Sequence, residues 1–154
     1  CKNDVIYTSP SVRTMQSAMM VSKVFKKDYV VVDDLKTREC GDWNGLTFSQ
    51  ILDKYPDGLE RILKYPDEKT VANAEGSTAF IARTKKVIDR LVAENIGNRI
   101  IIVTHPEVIQ AAICGALDIP ADKLPKIFIR TGSATQISYF EQWASLVYSD
   151  YIPQ

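Results

Sequence analysis

The sequence predicts an α/β fold, a three-layer sandwich built on a mostly parallel sheet. Three observations lead there. Short β-rich runs alternate with segments of helical periodicity, as βαβ units require. One run, Arg99 to Thr104, contains a continuous Ile-Ile-Ile-Val stretch, the mark of a strand buried on both faces of a parallel sheet. The chain has 154 residues, 45% hydrophobic and 25% charged, which suits one domain with its own core. With no repeat, low-complexity tract or Gly/Ser linker, residues 1–154 are read as a single domain.

The elements follow in order. Asp4 to Thr8 is a short β-rich run that breaks at Ser9-Pro10. Ser9 is expected to cap the next helix, with Pro10 as its first residue, a position that needs no N–H. Val12, Met15, Met19 and Val21 through Phe25 then form an apolar helical stripe. Tyr29 to Val32 is a second strand, and Gly41, Asn44 and Gly45 mark a loop. Thr47-Phe48-Ser49-Gln50 is a capping box opening a short helix that stops near Pro56. Residues 53–73, broken by Pro56, Gly58 and Pro66, read as an excursion of short helices and loops. Ser77 is expected to cap a long helix carrying Phe80, Thr84, Val87, Ile88, Leu91 and Val92, ended by Asn95 and Gly97. The Ile-rich strand follows, then His105, Pro106 and an apolar helix through Leu117. Thr135 to Phe140 is another strand, with Ala144 to Tyr148 as its antiparallel neighbour at the sheet edge.

Composition removes several classes of function. Lys and Arg number 19, and so do Asp and Glu, which gives no whole-chain pull toward nucleic acid or anionic membrane. No apolar run approaches the ~20 residues that span a bilayer. Cys1, Cys40 and Cys114 form no CxxC pair or metal spacing, and scattered thiols point to the cytoplasm. No Gly-rich dinucleotide or P-loop pattern follows any strand.

In open α/β sheets, ligands bind beyond the carboxyl ends of the strands. Two strand-to-helix junctions place polar residues there. Thr8-Ser9-Pro10 leads into a helix bearing Arg13 in its first turn, and helix N–H groups with a guanidinium suit a phosphate. At the second junction stands His105, the only histidine. The segment Leu35 to Gly45 mixes acids, bases, Trp43 and turn glycines, as an active-site loop would, and Ala74-Glu75-Gly76-Ser77 precedes the long helix.

The order of these stretches resembles the histidine phosphatase superfamily, the phosphoglycerate mutase-like fold. Tyr7-Thr8-Ser9-Pro10-Ser11-Val12-Arg13-Thr14-Met15-Gln16-Ser17-Ala18 is similar to its Ser-Ser-Pro-Leu-x-Arg-Ala-x-Gln-Thr-Ala signature. Leu35 to Gly45 resembles Leu-x-Glu-x-x-x-Gly-x-Trp-x-Gly, Ala74-Glu75-Gly76 its Gly-Glu-Ser element, and Thr104-His105-Pro106-Glu107-Val108-Ile109 its Ser-His-Gly-Gly-Val-Ile. The resemblance implies a phosphomonoester hydrolase working through a phosphohistidine, with no metal or cofactor and a small-molecule substrate. Arg13, Ser9 and His105 would bind the phosphoryl group, His105 matching the family's second active-site histidine. Residues 53–73 would form a lid over the leaving group. Pairing into a homodimer stays open.

Three departures qualify this. The family's Arg-His-Gly strand, which carries the nucleophilic histidine beside the Ile-rich strand, has no counterpart, and the chain opens on Cys1 rather than Met. The expectation is that a strand, its loop and a helix are missing in front, a unit of roughly 30 residues. Thr37 stands where many members have the acidic proton donor, and Glu39 is the candidate substitute. Pro106-Glu107 replaces two glycines, and its carboxylate would oppose a dianionic substrate unless it points away. These departures support the rival expectation, a catalytically inactive member kept as a phosphate-binding or protein-interaction module.

Overall fold

The computed structural model describes residues 4–58, 60, 67 and 71–152. Three parallel strands form the central sheet in the order β2-β1-β3: β1 is Val5–Thr8, β2 Tyr29–Val31 and β3 Ile100–Val103. Helix α1 (Val12–Phe25) connects β1 to β2 and packs on all three strands. Beyond β2 come α2 (Phe48–Lys54), α3 (Ser77–Glu94) and, after β3, α4 (Pro106–Ala116). A hairpin of β4 (Ala134–Tyr139) and β5 (Ala144–Tyr151) closes the chain.

Alternation along β1 divides the interior. Val5 and Tyr7 face the main core, where Leu35, Phe80, Val87, Ile88 and Leu91 of the loop and α3 meet Val108, Ala111 and Cys114 of α4. Ile6 points the other way and is fully buried with Ala18 of α1. The sheet therefore lies between α1 and the α3–α4 pair, as an α/β sandwich should. Gly115 lets the two helices meet closely, because a Cβ there would stand 2.9 Å from Lys85 Cβ. Asn95, at the end of α3, donates to the Tyr7 hydroxyl at 2.9 Å and latches that helix to β1.

Several expectations need correction. Helix α1 starts at Val12 with Ser11 as its N-cap, not at Pro10 after Ser9. The Ser9 N–H is taken by the Val103 carbonyl (3.1 Å), so the ladder runs past β1 and postpones the helix. The buried face of α1 is Thr14 and Ala18, whereas Val12 and Val24 are 67% and 77% exposed, so its apolar stripe does not all enter the core. Helix α3 is capped by Gly76, and Ser77 is its first residue. Gly76 has no side chain to cap with, and Asp67 supplies the acceptors instead, to the Thr78 N–H at 2.8 Å and the Thr78 hydroxyl at 2.5 Å. β3 is partly exposed along its length rather than buried on both faces, because among the described residues it pairs only with β1. The β4–β5 pair is antiparallel as expected, but it forms its own two-stranded sheet instead of an edge on the parallel one.

Other features match. The capping box of α2 is complete, with the Gln50 N–H on Thr47 Oγ1 (3.3 Å) and the Thr47 N–H on Gln50 Oε1 (2.8 Å). Pro106 opens α4 behind His105, which is its N-cap. The expected lid, 53–73, lies in large part outside the described residues. Among the described residues no helix is long and apolar enough to cross a membrane.

Candidate active site

Parallel pairing of β1 with β3 aligns Thr8 with Val103, so the chain leaves the sheet on both strands at the same level. That brings Ser9 and His105 together although they are 96 residues apart, with Ser9 Oγ 3.1 Å from His105 Nε2. Arg13, the second residue of α1, reaches back so that its Nη2 lies 3.0 Å from His105 Nδ1. Three of the four residues singled out in the sequence are therefore in direct contact.

The chemistry of these groups orders the protons. A guanidinium only donates, so Nδ1 of His105 accepts from Arg13, and the neutral ring carries its proton on Nε2, facing Ser9. The Ser9 hydroxyl passes its own proton to Thr14 Oγ1 (2.8 Å), and Thr14 donates to the carbonyls of Ser9 (3.0 Å) and Ser11 (2.8 Å). His105 is only 5% exposed. Burial, reinforced by the Arg13 charge, lowers its pKa and favours this neutral form. Thr14 escaped the sequence reading, since a threonine inside a helix carries no sign of its partners.

A second network fixes the loop after β2. The Gly41 φ of +55° and a virtual Cβ 2.1 Å from the Ala72 carbonyl oxygen admit only glycine there. Cys40 bridges Ala74, and the Glu75 N–H donates to the Glu39 carbonyl at 2.9 Å. Arg83 of α3 grips Glu75 through Nε and Nη2 at 2.9 and 2.8 Å and donates to the Asp34 carbonyl at 2.6 Å. Burial would raise the Glu75 pKa, but the Arg83 pair, the Glu39 N–H and the Arg38 charge together outweigh it and hold the carboxyl below its ordinary range. Arg38 Nε donates to the Glu75 carbonyl at 2.6 Å, and the Thr104 hydroxyl ties the end of β3 to the Leu35 carbonyl at 3.2 Å. Arg83 is another residue the sequence did not mark, because its partners lie on a loop far away in the chain.

The remaining acids differ. Glu39 sits at the surface with its carboxylate 2.6 Å from Lys36 Nζ, and no described hydrogen bond joins it to Ser9, Arg13 or His105. Glu107, the second residue of α4, is half-buried. Its electrostatic neighbours are Arg38, Arg13 and Glu75, and burial raises its pKa against the pull of the two arginines. Thr37 is half-buried, and its carbonyl accepts from Arg83 at 3.4 Å.

An imidazole, a guanidinium and hydroxyls gathered at the strand ends beside a helix N-terminus are groups that can donate hydrogen bonds to an anion. The chain belongs to the histidine phosphatase superfamily (branch 1), whose sequence pattern matches residues 1–150. It is 22% identical over 120 residues to phosphoserine phosphatase 1 of Hydrogenobacter thermophilus, covering 78% of this chain and 57% of that protein. The chain thus spans little more than half of that relative. Among solved structures, the Bacillus stearothermophilus protein YhfR superposes with a TM-score of 0.88 at 22% identity, over 97% of this chain and 74% of its own. A mycobacterial glucosyl-3-phosphoglycerate phosphatase in complex with VO3 superposes with a TM-score of 0.85 at 22% identity, over 95% and 75% of the two chains. These superpositions establish the shared phosphoglycerate mutase-like fold.

Proposed function

We propose that the protein is a phosphomonoester hydrolase acting on a small molecule through a phosphohistidine. The observation that carries this reading is the convergence of His105, Arg13 and Ser9 at the carboxyl ends of β1 and β3. Arg13 and the helix N–H groups would take the charge of the phosphoryl oxygens, and His105, with its proton on Nε2, would donate to one of them. Such preformed donors act where transition-state charge spreads over the equatorial oxygens. Covalent transfer to an imidazole divides one hard displacement into two easier ones.

The nucleophilic histidine would come from a strand not among these 154 residues, laid along the side of β3 away from β1. The half-buried isoleucines of β3 and its outer edge, unpaired among the described residues, support that placement. Cys40 is exposed and Cys114 buried, both free, which agrees with a reducing, cytoplasmic setting. The alternative, a non-catalytic phosphate-binding module, is favoured by Thr37 at the position of the usual acid. Both readings share the pocket, and they part on turnover.

Inorganic phosphate titrated into the chain, followed by His105 and Arg13 side-chain resonances, tests the pocket. Arg13→Ala and His105→Ala should each weaken binding about 10–100-fold, the loss of one charge-assisted hydrogen bond of about 1.5–3 kcal/mol. Binding unaffected by both substitutions would sink the reading. Hydrolysis of an aryl phosphate by these 154 residues alone would overturn the external nucleophile.

A further inference from the structure

We propose that the β2 edge of the sheet is the interface with a second copy of this chain. The two copies join across a two-fold axis at Val30, so that their three-stranded sheets become one.

β1 pairs with one side of β2, and among the described residues nothing pairs with the other. Edge strands that stay alone carry charges or proline, bulge, or lie under a covering element. Tyr29–Val31 has neither a charge nor a proline, and its valines are open to solvent: Val30 is 51% and Val31 42% exposed. They point to opposite faces of the sheet, so both sides of the edge are apolar. Helix α1, which packs against β2, leaves Met19, Met20 and Val24 exposed as well. The strand proposed above to bring the nucleophile would lie along β3, at the far end of the sheet, and would leave this edge open.

The hydrogen-bonding direction of β2 limits how two copies can join. The Val32 N–H donates to the Thr8 carbonyl at 2.8 Å, so Val32 and, two residues back, Val30 turn their peptide groups toward β1. Tyr29 and Val31 turn theirs outward. Residues that exchange both hydrogen bonds in an antiparallel pair must both face the neighbouring strand. A two-fold axis therefore falls on a residue of β2, never between two of them.

Charge selects the residue. Lys26 and Lys27 precede the strand, Asp33 and Asp34 follow it, and all four are exposed. Among the described residues no ion pair engages any of them. With the axis at Val30, Tyr29 exchanges hydrogen bonds with Val31 of the second copy. Lys27 then comes opposite Asp33, and Lys26 opposite Asp34, at both ends of the pairing. An axis at Val31 would set Asp28 against Asp34 and Lys26 against Lys36. An axis at Tyr29 would set no acid against either lysine. Opposite charges stabilise facing positions and like charges penalise them, which leaves Val30. The contact is isologous and closes at two copies.

Sedimentation velocity of the whole chain tests the dimer, and none of its readouts depends on phosphate or turnover. The wild-type chain should show a concentration-dependent monomer–dimer equilibrium. Lys27→Glu and Asp33→Lys should each weaken it about tenfold or more, because the axis repeats every like-charge contact. An equal mixture of the two variants should regain dimers, since each reversed end then meets its complement, and this also shows that both still fold. Val30→Cys tests the register. A residue on the axis meets itself at about 4.5 Å between Cα atoms, inside the disulfide range. Mild oxidation should cross-link Val30→Cys into a covalent dimer, and Val31→Cys no more than the wild-type chain with its native thiols. A wild-type chain that stays monomeric at sub-millimolar concentration overturns the proposal. So do dimers unmoved by both charge reversals, a mixture that does not regain them, or equal cross-linking at the two cysteine positions.

Discussion

His105 is held by a partner on each side, and the proton inventory of those partners fixes its tautomer. Burial beside Arg13 also gives it a pH signature. As pH falls below the ordinary imidazole range, the unfolded chain takes up a proton before the folded one does. Stability therefore drops from that range down to the lowered folded value, where the loss stops growing. Glu107 acts in the opposite sense: the folded state holds its proton more tightly, so its contribution is present at low pH and fades as pH rises through its raised value. Melting temperatures between pH 4 and 8 should show His105→Gln losing the acid-side decline and Glu107→Gln losing the opposing rise. A His105→Gln curve parallel to wild type would show that the ring is not held neutral. At this scale the meeting of Ser9, Arg13 and His105 was legible, because each lies at a strand-to-helix junction on the same side of the sheet. Thr14 and Arg83 were not, since their partners are backbone carbonyls and a loop carboxylate that no local spacing reveals.

Elements were easier to foresee than their ends. Helix α2 begins and stops where its capping box and Pro56 indicate, a purely local affair. The starts of α1 and α3 moved because distant groups intervened: Val103 takes the Ser9 N–H, and Asp67 caps for Gly76. The same dependence makes the loop after β2 vulnerable. Arg83→Met removes the Glu75 pair and a carbonyl contact at Asp34, leaving a half-buried carboxylate without its cation. It should cost about 2 kcal/mol and raise hydrogen exchange at the amides of residues 35–39. Gly41→Ala should be worse, exceeding the about 1–2 kcal/mol of the left-handed conformation because its methyl would meet the Ala72 carbonyl. Urea unfolding checks both.

Across the whole molecule, the sheet ends at β3 with one side unpaired among the described residues. The Ile-rich run was read correctly as a strand, but its edge position was not legible, since hydropathy does not say which neighbour is present. Val5 and Ser9 donate to Arg99 and Val103, so the alternating Ile100 and Ile102 amides point away from β1. Those two should exchange with solvent faster than the Ile101 and Val103 amides by NMR. Equal protection would show that the edge is covered. The Ser9–His105 contact carries a kinetic consequence. It joins residues 96 apart, so the pocket exists only after the longest loop in the sheet has closed, while α3 and α4 are local and can form early. An anion bound there has nothing to hold in the folding transition state. In a chevron plot, added phosphate should slow the unfolding limb and leave the folding limb where it was.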